Sequence, residues 1–115
     1  MPDEVQHRLS ANESVFREIN EGIERGQWPG EEDALVSFRC ECARLGCNEL
    51  IELSVRTYEA VRSNPRRFIL RPGHERLDVE AVIDRGPNYL VVEKVDQAGE
   101  RAEETDPRSR ADPRD

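Results

Sequence analysis

The chain has 115 residues, which is enough for one domain of ordinary size and too few for two. Its hydrophobic fraction of 36% is lower, and its charged fraction of 37% higher, than in typical globular domains. We therefore expect a small hydrophobic core, with part of the chain outside it. The net charge of −8 disfavours a nucleic-acid partner, because phosphate groups repel an acidic protein. No apolar run is long enough to predict a membrane-spanning helix.

The N-terminus and the cysteines together predict a cytoplasmic protein. The first residues contain no basic stretch followed by an apolar block, which is the pattern of a secretory signal. The three cysteines are an odd number, which disfavours a disulfide framework. Metal binding or thiol chemistry is therefore the better hypothesis for them.

Residues 1–9 are predicted to form a flexible arm, and a first helix is predicted to begin near Ser10. Ser10 and Glu13 have the spacing of a capping box, and Gly26 is a natural end for the helix. Apolar residues recur at three- and four-residue spacings along it: Val15, Phe16, Ile19 and Ile23. This stripe predicts a helix that covers one face of a sheet.

The middle of the chain predicts a β-hairpin followed by a helix and further strands. Residues 35–39 and 50–53 are predicted strands, and all three cysteines fall between them at the tip of the hairpin. Ser54 can cap a short helix over 55–63, and residues 67–71 and 89–95 are predicted strands. The apolar spacing in residues 76–85 fits a helix slightly better than a strand.

After Val95 the sequence contains no apolar residue larger than alanine, which predicts a disordered acidic tail over residues 96–115. The predicted organisation is thus a single α+β domain over residues 10–95. It would contain a small antiparallel sheet, a cysteine-bearing hairpin that resembles a zinc ribbon, and two or three helices.

The cysteine spacing predicts a zinc site. Cys40 and Cys42 are two residues apart, so in an extended strand their side chains point to the same side. The turn that follows would bring Cys47 back toward them. Zn²⁺ suits a set of converging thiolates and binds four ligands in structural sites. His74, in a rigid Pro-Gly-His-Glu turn, is the preferred fourth ligand over His7 in the arm, which predicts one structural zinc ion.

Other interpretations of the cysteines stay open at this point. They could pack at a turn without metal, bind an iron–sulfur cluster, or serve as a thiol redox sensor through Cys40 and Cys42. An open site of three cysteines could also make a small metalloenzyme, with Glu75 as general base. An enzyme is disfavoured, because the sequence contains no glycine-rich phosphate loop, no hydrolase nucleophile motif and no metalloprotease motif.

Residues 56–76 are locally basic within an acidic chain, since they contain six arginines. These arginines either pair with nearby acids or form a docking patch for an acidic protein partner. The residues that would form such a patch are Arg62, Arg66, Arg67 and Arg71.

The order of these motifs resembles a group of small proteins of about this length from high-GC actinobacteria. The resemblance rests on the Cys-Glu-Cys and Cys47 pattern, the Pro-Arg-Arg-Phe segment that ends at Phe68, and the Pro-Gly-His-Glu turn. It implies that the cysteines and the histidine turn act as one unit, and it implies no activity. The sequence thus predicts a non-enzymatic, zinc-stabilised protein-interaction or regulatory module.

Overall fold

A computed structural model describes the backbone of residues 2–42, 44 and 46–110, and the side chains of residues 13–42, 44 and 46–108. The fold is α+β, as predicted. In chain order its elements are α1 (Pro2–Arg25), β1 (Leu35–Arg39), β2 (Leu50–Ser54), α2 (Val55–Arg62), β3 (Arg67–Leu70), β4 (Glu80–Arg85), β5 (Leu90–Lys94), α3 (Asp96–Glu104) and a 3-10 turn (Pro107–Arg110). Among the described residues, no helix has the length and apolar character needed to cross a bilayer.

The strands form two small antiparallel sheets. Strands β1 and β2 pair as the predicted hairpin, and β5 lies between β3 and β4 in the second sheet. The two sheets meet just after β1, where the Glu41 N–H donates to the Ile69 carbonyl at 2.8 Å. The hydrophobic core lies between the sheets and α2, and its centre is the stacked ring pair of Phe38 and Tyr58, with centroids 4.4 Å apart. Ser54 caps α2 as predicted, accepting from the Thr57 N–H at 3.1 Å.

The prediction of a helix over residues 76–85 is wrong, because residues 80–85 form β4. This strand pairs with β5 and contains a register shift between Val82 and Asp84. The extra residue, Ile83, is 42% exposed, whereas Val82 packs against the core. A bulge of this kind interrupts the alternation of inward and outward side chains, which is why the apolar spacing fitted a helix slightly better than a strand.

Helix α1 covers the sheets with its polar face, whereas the sequence predicted contact through its apolar stripe. In that stripe Ile23 packs against the core, whereas Val15 and Ile19 are 53% and 39% exposed. Within the described part of the helix, residues 13–25, the buried side chains are Glu13, Ser14, Arg17, Asn20 and Glu21. These positions follow a helical period, so they form one continuous face, and each of these side chains bonds a partner outside the helix.

Both ends of the chain have more regular structure than the sequence predicted. Helix α1 already begins at Pro2, where residues 1–9 were expected to be an arm. A proline at the first helical position and acids in the first turn both favour this start. Residues 96–110, expected to be disordered, form α3 and the 3-10 turn. Residues 1 and 111–115 lie outside the described residues.

The C-terminal segment docks through small residues and ionic contacts. Ala98, Gly99 and Ala102 are buried. A Cβ at Gly99 would collide with the Arg66 side chain, so α3 packs closely against Arg66. The Arg17 guanidinium donates to the Ala102 carbonyl at 2.8 Å. Large apolar residues are therefore not needed to hold this segment in place.

The buried pair of Arg62 and Asp106 generates a first prediction. The Arg62 side chain is 0% exposed and also pairs with Glu21 at 2.8 Å. We expect Asp106→Ala to reduce the free energy of unfolding by about 3 kcal/mol, because it leaves a buried guanidinium short of one partner. Chemical denaturation measures this loss. The control is Glu100→Ala, which removes an exposed acid from the same segment and should cost at most about 0.5 kcal/mol. Equal effects of the two substitutions on the free energy of unfolding would contradict the docking of the C-terminal segment.

Glu13 generates a second prediction, which concerns pH. Burial raises the pKa of Glu13 to about 7, even though its ion pair with Lys94 acts in the opposite direction. Glu80 raises this pKa further and Arg17 lowers it. The pKa in the unfolded chain is about 4.3, so the folded state binds more protons between these values and its stability falls as pH rises.

Glu13→Gln removes this titration from both states. We expect the free energy of unfolding of the natural chain, relative to that of Glu13→Gln, to fall by about 3 kcal/mol from pH 5 to pH 8. Urea denaturation of both proteins across this range measures the difference. A difference that does not change with pH would contradict the raised pKa.

Candidate metal centre

The three cysteines lie in the segment that joins β1 to β2, as the sequence predicted. The Cys40 N–H donates to the Glu49 carbonyl at 3.0 Å, which continues the hairpin one residue beyond β1. The Cys47 N–H donates to the Arg44 carbonyl at 3.1 Å, and this turn uses Gly46 with a φ of +84°. The segment therefore folds back and carries the last cysteine toward the first two.

His74 is held by a second turn that contacts the hairpin. The His74 N–H donates to the Arg71 carbonyl at 3.0 Å, and Gly73 has a φ of +93°. The Gly73 N–H donates to the Glu75 carboxylate at 2.8 Å, so this carboxylate has a role within the turn. The Arg44 guanidinium donates to the Gly73 carbonyl at 3.0 Å and thereby joins the turn to the cysteine segment.

These elements bring the four predicted ligands together. The ligand atoms of Cys40, Cys42, Cys47 and His74 all lie within 4.8 Å of one another. The Nδ1 atom of His74 is 3.5 Å from the Cys40 sulfur and 3.7 Å from the Cys47 sulfur. Cys40 and Cys42 are buried, whereas Cys47 and His74 are partly exposed. The arrangement is compatible with a metal site. The other candidate ligand, His7, lies in α1 with its side chain outside the described residues.

Backbone N–H groups point at two of the sulfurs. The Arg71 N–H donates to the Cys40 sulfur at 3.2 Å, and the Arg44 N–H donates to the Cys42 sulfur at 3.4 Å. Such bonds favour the thiolate form and orient the sulfur as a ligand. Two different segments thus support the cysteines from outside the cluster.

The pKa values of the three thiols are shifted in different directions. A hydrogen bond from the Cys40 thiol lowers the pKa of Cys42, and the same bond raises the pKa of Cys40. Burial raises the pKa of Cys47. Without a cation, the cluster therefore holds one negative charge more readily than two or three. A bound cation would supply the charge that lets all three thiols ionise.

Glu41, which sequence reasoning missed, lies between the first two cysteines and is completely buried. Its carboxylate accepts from the Asn20 amide at 2.8 Å, the Tyr58 hydroxyl at 3.0 Å and the Ile69 N–H at 3.1 Å. Burial raises the pKa of Glu41, against the effect of the Asn20 and Ile69 donors and of the Arg17 charge. Strand alternation was the available signal, since it turns residue 41 away from the cysteine side and into the core.

The four candidate docking arginines have intramolecular partners. Arg62 is buried between Glu21 and Asp106, so the prediction that it belongs to a docking patch is wrong. The other three are partly exposed and pair with glutamates: Arg66 with Glu103, Arg67 with Glu93 and Arg71 with Glu49. A docking role for these three stays a prediction.

Comparison with known proteins adds no relative: the chain matches no protein-family model, no curated protein sequence and no solved structure. Fold and site therefore define it only as a small α+β domain with a cluster of three cysteines and a histidine.

The turn that presents His74 generates a third prediction. At a φ of +93° a Cβ is strained, so we expect Gly73→Ala to lower the free energy of unfolding by about 1 kcal/mol or more. Gly22→Ala is the matched control, because Gly22 lies in α1 with open space around its Cβ position. It should stabilise the protein by up to about 1 kcal/mol. Chemical denaturation under identical metal conditions compares them, and the same sign for both would contradict the turn geometry.

Proposed function

We propose that this protein is a zinc-stabilised, non-enzymatic domain that acts through contacts with other proteins. Cys40, Cys42, Cys47 and His74 would bind one structural zinc ion. The observation that carries the proposal is the convergence of these four ligand atoms within 4.8 Å.

The spacing and chemistry of the ligands favour zinc. A tetrahedral zinc ion with Zn–S and Zn–N bonds of about 2.3 and 2.05 Å separates sulfur from nitrogen by about 3.6 Å. The two Sγ–Nδ1 distances to His74, from Cys40 and Cys47, are 3.5 and 3.7 Å. Thiolate and imidazole are also ligands that zinc prefers over the hard cations calcium and magnesium.

A structural role follows from the number and placement of the ligands. A catalytic zinc needs an open position for water or substrate, whereas three cysteines and one histidine occupy all four. The cysteines belong to the β1–β2 hairpin and His74 follows β3, so the ion would join the two sheets. A domain with few large apolar side chains gains much stability from such a link.

The proposal places the protein in a reducing compartment such as the cytoplasm. The three cysteines are free thiols in the structure, and thiolate ligands must stay reduced to hold the metal. The surface offers two kinds of contact to a protein partner. Arg66, Arg67 and Arg71 suit an acidic partner, and Trp28 and Leu77 are exposed apolar side chains.

The experiment that tests the metal site is native mass spectrometry of the protein purified under reducing conditions, with metal analysis. We expect one zinc ion per chain. His74→Ala should weaken zinc binding by more than about 100-fold, the upper end of what the loss of a ligand's supporting partner costs. His7→Ala is the matched control and should leave the affinity unchanged.

Three outcomes would contradict the proposal, and each points elsewhere. A metal-free chain that reversibly loses two hydrogen atoms on mild oxidation would support a thiol redox sensor. Zinc with an exchangeable water ligand would support a small metalloenzyme with an open Cys₃ site. Unchanged affinity in His74→Ala, with loss in His7→Ala, would assign the fourth ligand to His7.

A further inference from the structure

The buried carboxylate of Glu41 lies directly behind the cysteine cluster. Glu41 is 0% exposed, and its carboxylate accepts hydrogen bonds from three donors: the Asn20 amide, the Tyr58 hydroxyl and the Ile69 N–H. Burying a carboxylate costs free energy even when it is hydrogen-bonded. Because Glu41 lies between the candidate ligands Cys40 and Cys42, a role at the metal centre would explain why this costly burial is present.

Each donor belongs to a different element, so Glu41 is fixed from three directions. Asn20 lies on α1, Tyr58 on α2 and Ile69 on β3. Asn20 is itself fixed, because its oxygen accepts from the Arg39 N–H at 2.7 Å and its amide donates to the Arg39 carbonyl at 2.9 Å. Arg39, which precedes Cys40, is therefore hydrogen-bonded to α1, as Glu41 is.

Strand β3 holds both sides of the cysteine segment. Ile69 exchanges bonds with Glu41, since its N–H donates to the carboxylate and its carbonyl accepts from the Glu41 N–H. Two residues further on, the Arg71 N–H donates to the Cys40 sulfur. The Glu41 carboxylate on one side of residues 40–42 and the Cys40 sulfur on the other are thus held by β3 and by the residue that follows it.

We propose that Glu41 is a positioning residue for the metal centre, which fixes the Cys40 and Cys42 sulfurs at the separation and direction that the ion requires. The inference rests on the proposed zinc site. With the segment between them anchored in advance, the two cysteines need no reordering when the ion binds, so affinity is gained. Loss of the anchor leaves all four ligands present but less well placed.

Glu41→Gln tests this positioning role. A Gln side chain replaces one acceptor oxygen with an NH₂ group, which must face the donors that Glu41 now accepts from. We expect zinc affinity, measured by competition with a chelator, to fall 10- to 100-fold. We also expect the visible absorption of the Co²⁺-substituted protein to change, because that spectrum reports the coordination geometry. Tyr58→Phe removes one of three donors and should give a smaller change of the same kind.

Asp106→Asn is the matched control for a general loss of stability. Asp106 is a buried carboxylate that pairs with Arg62, and it follows α3, outside both segments that carry the candidate ligands. This variant should lower the free energy of unfolding while leaving the zinc affinity and the Co²⁺ spectrum unchanged. If Glu41 only stabilised the fold, Glu41→Gln would likewise lower the free energy of unfolding and leave the zinc affinity and the Co²⁺ spectrum unchanged.

The outcomes separate this inference from the proposed function. If the natural chain binds no zinc, the proposed function fails and the inference fails with it. If the natural chain binds zinc and Glu41→Gln binds it equally well with the same Co²⁺ spectrum, only the positioning role is overturned. If Glu41→Gln does not fold, Tyr58→Phe decides: reduced affinity with an altered spectrum supports the role, and natural behaviour overturns it.

Discussion

The burial of charged groups beneath helix α1 is the constraint on which the rest of the fold depends. A buried charge is strongly destabilising unless a partner meets it with good geometry. The helix buries Glu13, Arg17 and Glu21, and their partners come from β5, the C-terminal segment and α2. This helix therefore cannot slide or rotate without separating several of these pairs. The few apolar residues of the chain are thus supplemented by contacts that also fix the arrangement.

The same polar face explains how the low hydrophobic content supports an ordered chain to residue 110. Ser14 donates to the Thr105 carbonyl at 2.7 Å, and Asp106 pairs with Arg62, which Glu21 on α1 also holds. The C-terminal segment therefore gains polar contacts with α1 and α2 when it docks. Its own apolar contribution is limited to small residues, which lower the side-chain entropy lost on ordering.

The strands and the cysteine cluster followed from local rules, and the helix packing did not. Short stretches of strand-forming residues predicted β1, β2, β3 and β5, and the two-residue spacing of Cys40 and Cys42 predicted sulfurs on one side. A bulge concealed β4, since an extra residue shifts the spacing of its apolar side chains. The buried face of α1 depends on partners up to 91 residues away, such as Thr105 for Ser14, and no local pattern encodes that pairing.

Residues 40–42 connect the candidate metal centre to this helical layer. Their sulfurs face His74, and their one carboxylate, Glu41, faces Asn20 on α1. An ion on the first side and an amide on the second would hold the same short backbone segment from opposite directions. Because Asn20 also bonds the backbone of Arg39, an ordered cysteine segment and a docked α1 support each other. Metal binding would then stabilise more than the hairpin tip, since the gain is shared by the helix whose buried charges organise the domain.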